Sequence, residues 1–296
     1  MNIAIVGLGG VGGYLLASLT KTNHNVVGFA RGKHLDVIQK NQLKIIEDKK
    51  EWSTKVDAKE FPDTNVCFDI VLFCVKSYDL KESFSKIKKN IDKNSILISF
   101  SNGVDSSSKL KDWSDSIVLD GCVYIMSHIL ENGIIRKKGD VFSLVIGGED
   151  IDASRTLESI FKEANLRVKI ADNILEAIWK KYIFISAFAT LTSYYNESMV
   201  SVYNNHYEET KEVLIEIVNV ANSIGINIEE QIEKSLNIAK NLPTDASTSM
   251  HLDFKNNKKT EIESLTGYII KIANQKEINV LNMKKMYDEL IKDQIQ

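Results

Sequence analysis

Residues Asn2 to Val6 form a short apolar run that passes directly into Gly7-Leu8-Gly9-Gly10-Val11-Gly12, and Tyr14, Leu15, Leu16 and Leu19 follow at helical spacing. A strand, a glycine turn and a helix in that order constrain this chain more than any other feature. The glycines have separate jobs: Gly7 permits the tight turn, Gly9 lets a ligand approach the backbone, and Gly12 lets the helix pack close to the strand. The helix then presents free N–H groups to an anion. In this context the spacing is the fingerprint of a turn that cradles the pyrophosphate of a dinucleotide, NAD or NADP.

The same apolar stretch reads poorly as a secretion signal or membrane anchor. No Lys or Arg precedes it, Gly7, Gly9, Gly10, Gly12 and Gly13 interrupt it, and no A-x-A cleavage pattern is evident. No other segment approaches the roughly 18 uninterrupted apolar residues of a spanning helix. A soluble, cytoplasmic protein without a membrane partner is the expectation.

A length of 296 residues with 44% hydrophobic and 26% charged residues suits about two domains with a substantial core. The net charge of −3, with Lys and Arg scattered, leaves no footprint for nucleic acid. Cys67, Cys74 and Cys122 form neither a CxxC nor an even set, so no disulfide framework and no metal site are expected. A reducing compartment fits that usage.

Strand-like runs alternate with helical patterns through the first half: Asn2 to Val6, Asn25 to Ala30, Asp69 to Val75 and Ser95 to Phe100. Alternation of this kind builds βαβ units and a parallel sheet. The runs Ile117 to Met126, Ile134 to Arg136 and Val141 to Ile146, with Glu131-Asn132-Gly133 between the first two, add antiparallel strands through an Asn-Gly hairpin. A helix near Ala153 to Ala164 and a strand near Arg167 to Ile170 close this part. From Asn173 only helical periodicity remains, in segments near 173–195, 206–223, 228–240, 260–275 and from about 280. The chain is therefore read as α/β: a doubly wound mixed sheet in residues 1–171, which binds the dinucleotide, and an all-helical substrate and catalytic domain in 172–296. No Pro/Gly/Ser-rich linker separates them, so a ligand cleft between the two is expected. The amphipathic C-terminal helices can bury against one another or a second copy, so a homodimer is allowed.

Cofactor choice is made just after the second strand, where a carboxylate suits the ribose 2′-hydroxyl of NAD and a cation suits the 2′-phosphate of NADP. Arg31 and Lys33 stand there, with no acid until Asp36, which favours NADP. Lys76 and Asn102-Gly103 end two other strands, where a doubly wound sheet places its ligands, although either would serve equally as a turn.

In the second half Lys181 has Ala177, Ile178, Phe184, Ile185 and Ala189 as helical neighbours, an apolar column. Lys180 meets Glu176 instead and reads as an exposed pair. A lysine held against apolar groups loses hydration, and its pKa falls toward the range useful to a general acid. Snorkelling to solvent is the other reading, and periodicity leaves both open. Thr260 and Glu263 have capping-box spacing, which puts Glu261 in the first turn of a helix. Ser249 lies about 18 Å from Glu261 on a continuous helix, so the two share a site only if Lys255-Asn256-Asn257-Lys258-Lys259 breaks the helix and folds back.

Gly7-Leu8-Gly9-Gly10-Val11-Gly12, Phe73-Cys74-Val75-Lys76, Ser101-Asn102-Gly103, Trp179-Lys180-Lys181, Ser249-Met250 and Thr260-Glu261-Ile262 follow one another in an order in which the chain resembles the ketopantoate reductases (2-dehydropantoate 2-reductases) nearly end to end. The resemblance implies an N-terminal Rossmann-type domain, an all-helical C-terminal domain, and NADPH-dependent reduction of the 2-oxo acid 2-dehydropantoate on the route to pantothenate and coenzyme A. It implies cofactor contacts at Gly7 through Gly12, Arg31, Lys76 and Asn102, with Lys76 also at the substrate junction. It makes Lys181 the general acid and Glu261 the residue that holds the substrate hydroxyl and the lysine ammonium in place, with Ser249 and Asn102 on substrate polar groups. An ammonium beside a developing alkoxide also stabilises it electrostatically.

The chain departs from this family where asparagines commonly face the substrate: Ile185, Ala189 and Met199 stand there. Lost carboxamides change polar discrimination strongly, so a reductase of a more apolar 2-oxo acid is the alternative, with Ser186 and Asn196 as nearby polar replacements. A dinucleotide-binding regulator without turnover is the third reading; retention of Lys181 and Glu261 speaks against it.

Overall fold

A computed structural model describes residues 1–62 and 65–295. The chain divides into two compact units, Met1–Ser101 with Asp105–Ile174, and Asn102–Val104 with Leu175–Gln296.

The first unit runs β1 (Asn2–Val6), α1 (Gly10–Leu19), β2 (Asn25–Phe29), α2 (Gly32–Asn41), β3 (Leu43–Ile46), β4 (Glu51–Thr54), β5 (Asp57–Lys59), β6 (Ile70–Phe73), α3 (Leu80–Ile87), β7 (Ile96–Ser99), α4 (Ser106–Trp113), β8 (Ile117–Glu131), β9 (Ile134–Gly147), α5 (Ile151–Glu163) and β10 (Val168–Ile170). Strands β6 and β7 are buried along their whole length. Continuous apolar runs suit parallel strands covered on both faces. One mixed sheet results, ordered β4-β3-β9-β8-β7-β6-β1-β2-β5, with β10 beside β9. Pairing is parallel from β5 through β8. The order reverses between β1 and β6, the switch point where doubly wound sheets receive ligands.

The Asn-Gly hairpin forms between β8 and β9, with Gly133 at φ 78°. Instead of separate runs Ile134 to Arg136 and Val141 to Ile146, β9 is continuous. The polar interval reads as a gap in sequence, but register shifts at Ile125/Met126 and Ile129/Glu131 absorb it. Lys137, turned inward, places Nζ 2.7 Å from the Gly139 carbonyl. The short strands β3, β4 and β5 and helices α2, α3 and α4 are additions to the sequence expectations, although Leu80, Phe84 and Ile87, buried on one face of α3, do stand at helical spacing.

The second unit comprises most of α6 (Ile174–Tyr195), then α7 (Met199–Asn205), α8 (Tyr207–Ser223), α9 (Gln231–Lys240), α10 (Ser249–Lys255), a π-helical turn (Glu263–Gly267), α11 (Tyr268–Gln275) and α12 (Leu281–Ile295). Tyr182, Ile183, Ala187 and Phe188 of α6 share a core with Val213, Leu214 and Ile217 of α8. The buried Glu216 accepts the N–H groups of Asn282 and Met283, at 2.8 and 2.9 Å, and so caps α12.

The segment 260–275 is not the single capped helix that its spacing suggests. Glu263 accepts a hydrogen bond from the Tyr287 hydroxyl at 2.7 Å, while Thr260 Oγ1 accepts from the N–H of Ile262 and from Gln294 Nε2. The capping box is absent because both side chains are engaged elsewhere. The π turn is held from α6: Tyr182 donates to the carbonyls of Ser264 and Leu265 at 2.8 Å, and Ser186 Oγ to that of Leu265 at 2.8 Å. Among the described residues no helix is long and apolar enough to cross a membrane.

Candidate functional site

The glycine turn has the geometry its sequence requires. Gly7 sits at φ 95°, and a Cβ on it would lie 2.7 Å from Val75 Cγ1, so the loops after β1 and β6 meet at the switch point. A Cβ on Gly12 would lie 1.9 Å from the Gly7 carbonyl oxygen, whereas one on Gly9 would meet nothing within 4 Å. Gly9 therefore faces open space at the start of α1. That helix begins without a side-chain cap bond and without an acid in its first turn, so its N–H groups fit the diphosphate of a dinucleotide. Gly10 has an additional reason to be glycine, since a Cβ there would come within 2.4 Å of the Ser127 carbonyl of β8. Leu8 is buried in the core, so it can serve a nucleotide only through its backbone, whereas Val11 packs against the core and stays partly exposed.

Arg31 stands at the N-cap of α2, whose first turn also lacks an acid. Its guanidinium is exposed and lies 3.4 Å from Asp79 Oδ2. Sequence reasoning misses Asp79 because the partners are 48 residues apart. Lys76 ends the loop after β6 and precedes the single turn Ser77–Asp79, whose last N–H returns to the Lys76 carbonyl at 2.9 Å. Arg31 and Lys76 thus flank the segment that carries Asp79. Nearby on α2, His34 Nδ1 accepts from the N–H of Gly133 at 3.1 Å, and burial lowers its pKa.

On α6 the adjacent lysines diverge. Lys180 lies 2.6 Å from Glu176 and 3.5 Å from Glu230, and the bond to Glu176 raises its pKa. Lys181 is half-buried, and its Nζ donates to Asn102 Oδ1 at 3.1 Å. Of the readings open in sequence, the amine therefore ends on a carboxamide oxygen. Asn102 follows β7 in the chain but groups with the helical unit through the short segment Asn102–Val104, with Val104 packed against the helical core.

Helix α10 ends at Lys255, Asn257 adopts φ 51°, and the chain turns before Glu261. The helix break that a shared site requires is present. Ser249 is exposed in the first turn of α10, and Glu261 is buried at 3% exposure ahead of the π turn. The suggested polar replacements are committed elsewhere: Ser186 is fully buried on the Leu265 carbonyl, and Asn196 Oδ1 lies 2.9 Å from His251 Nε2. Ala189 and Met199 belong to the helical core and Ile185 packs against it, so no carboxamide stands at those positions.

The family model described as ketopantoate reductase PanE/ApbA matches residues 3–148, and its C-terminal counterpart matches residues 173–294. An uncharacterized oxidoreductase YkpB of Bacillus subtilis is 28% identical over 98% of both chains. The 2-dehydropantoate 2-reductase of Aquifex aeolicus is 26% identical, covering 92% of this chain and 90% of its own. A PanE/ApbA family ketopantoate reductase from Ralstonia eutropha superimposes with a TM-score of 0.92 at 26% identity, covering 100% of this chain and 99% of its own. With a glycine turn at the switch point of a doubly wound sheet, a helical second unit built on α6, and both halves matched, this chain belongs to the ketopantoate reductase PanE/ApbA family of oxidoreductases.

Proposed function

We propose that this protein reduces a 2-oxo acid with NADPH, 2-dehydropantoate first, with residues 1–171 as the nucleotide domain and 172–296 as the substrate domain. The observation that carries this reading is the hydrogen bond from the half-buried Lys181 to Asn102. NADPH when bound supplies the hydride. Gly7 through Gly12 and the uncapped start of α1 hold its diphosphate, with Lys76 as a further cofactor contact. Arg31, exposed at a helix N-terminus without a first-turn acid, meets the 2′-phosphate.

Lys181 delivers a proton to the ketone oxygen, and its charge stabilises the oxyanion that develops there. Asn102 holds the amine in one direction before substrate arrives, which lowers the entropy lost on reaching the reactive geometry. Glu261 and Ser249 bind the polar groups of the substrate. The family membership supports a place on the route to pantothenate and coenzyme A, and a cytoplasmic location goes with that reading.

A second reading, a more apolar 2-oxo acid with the same chemistry, is favoured by Ile185 and Ala189. Oxidation of NADPH and of NADH, measured side by side over a panel of 2-oxo acids, tests both. Turnover of 2-dehydropantoate with a preference for NADPH is expected. Activity on branched or aromatic 2-oxo acids alone selects the second reading, and NADPH binding without turnover of any of them selects a non-catalytic regulator.

A further inference from the structure

Helix α10 carries Ser249 but is only seven residues long. Helices shorter than about 12 residues are marginal in water, so its placement comes from tertiary ties. Those ties converge on the C-terminal end of α6. Thr248, the N-cap of α10, has its hydroxyl 2.9 Å from that of Thr192, and the N–H of Met199 donates to the Ala246 carbonyl at 2.9 Å.

Between these runs a relay through one buried imidazole. Ser247 Oγ lies 2.7 Å from His251 Nδ1, and His251 Nε2 lies 2.9 Å from Asn196 Oδ1. His251 is 2% exposed. Asn196 adopts φ 54° just past the end of α6, so its side chain leaves a fixed backbone. With the Asn196 oxygen as acceptor, the imidazole carries its hydrogen on Nε2 and accepts the Ser247 hydroxyl at Nδ1, which satisfies both nitrogens in the neutral ring. The imidazole is closed to substrate by that burial, while Ser247 is half-buried and Asn196 exposed, and with both ring nitrogens already bonded the role of the row is mechanical. Ser249 itself is exposed, and it is displayed by the turn that the relay holds.

We infer that His251 is a positioning residue: the Ser247–His251–Asn196 relay fixes the first turn of α10 to the end of α6, and thereby sets where the Ser249 hydroxyl meets a 2-oxo acid. This rests on the reductase reading for Ser249. His251→Phe keeps the bulk of the ring and removes both hydrogen bonds. His251→Gln can still reach Asn196. Asn196→Gly keeps the left-handed backbone and removes the acceptor.

In the intact chain His251→Phe and Asn196→Gly are expected to raise the KM of the 2-oxo acid by about three- to tenfold, the worth of one hydrogen bond, with kcat and the KM of NADPH little changed. His251→Gln recovers most of the loss, and the double variant is no worse than the poorer single one. Amide exchange over residues 249–252 is followed in parallel and needs no turnover. Exchange that speeds up in His251→Phe and returns in His251→Gln supports the relay. If the wild-type chain then turns over no 2-oxo acid, the reductase reading falls, and with it the substrate clause of the inference. Unchanged exchange together with unchanged substrate KM in His251→Phe overturns the relay while leaving the reductase reading intact. An equal loss in kcat and in the KM of NADPH overturns it too, because that pattern marks general damage.

Discussion

Lys181 Nζ donates to Asn102 Oδ1 at 3.1 Å, a bond between residues 79 positions apart that joins the middle of α6 to the loop after β7. If Lys181 is the proton donor, Lys181→Met should lower kcat by about 10²- to 10⁴-fold while NADPH affinity stays within a small factor. Lys181→Arg should not rescue, because a guanidinium holds its proton too tightly. Asn102→Ala should fall between wild type and Lys181→Met. Steady-state rates with parallel nucleotide titration check this, and a fully active Lys181→Met would end the assignment.

The glycines offer a separation of folding from binding. Gly12→Ala places a methyl 1.9 Å from the Gly7 carbonyl and should destabilise the first unit by roughly 3 kcal/mol or more. Gly9→Ala meets no neighbour and should leave stability within about 0.5 kcal/mol. It should nevertheless weaken NADPH binding about tenfold or more, since in the proposed complex the diphosphate approaches through the open space at Gly9. Thermal melts and fluorescence titration of the two variants distinguish these outcomes.

Arg31 is shared between Asp79 now and a 2′-phosphate in the proposed complex. Removing its charge should raise the KM of NADPH by about tenfold or more and leave that of NADH unaltered, as expected for a charged hydrogen bond lost. Asp79→Asn should act in the opposite direction, because it releases the guanidinium and removes a negative charge 3.4 Å from it. Equal effects of Arg31→Ala on both cofactors would exclude its role in choosing between them.

Burial lowers His34, His128 and His251 from the ordinary histidine value of 6.5, with Lys138 and Arg136 adding to the effect at His128 and Lys255 at His251. Their folded pKa values lie below the unfolded one, so the unfolded chain binds more protons as pH falls past 6.5. The stability these groups contribute is present above that pH and is lost as pH drops through their folded values. The urea midpoint should therefore fall between about pH 7 and pH 5, and less steeply in His251→Gln. Glu216, raised by burial, works the other way in the carboxylate range, gaining stability as it protonates.

Some of this molecule is legible from local spacing. The β1-turn-α1 unit, the Asn-Gly hairpin and the opposite faces of Lys180 and Lys181 follow from periods of two and 3.6 residues and from glycine sterics. Those rules act over a few residues and need no neighbour. The short strands β3 to β5 are illegible for the complementary reason, because pairing of β3 with β9, of β4 with β3 and of β5 with β2, and not propensity, makes them strands.

The sequence by itself determined that a diphosphate turn opens the chain, that a helical half follows a mixed sheet, and that a lysine stands in an apolar column. Only the tertiary structure decided that this lysine ends on Asn102, that Asp79 meets Arg31, that Glu263 turns to Tyr287 instead of closing a capping box, and that His251 ties α10 to α6. The physical reason is common to all of these. Each is a hydrogen bond whose partners are brought together by the path of the backbone, and local pattern carries no information about which distant donor will arrive within 3.5 Å of which acceptor.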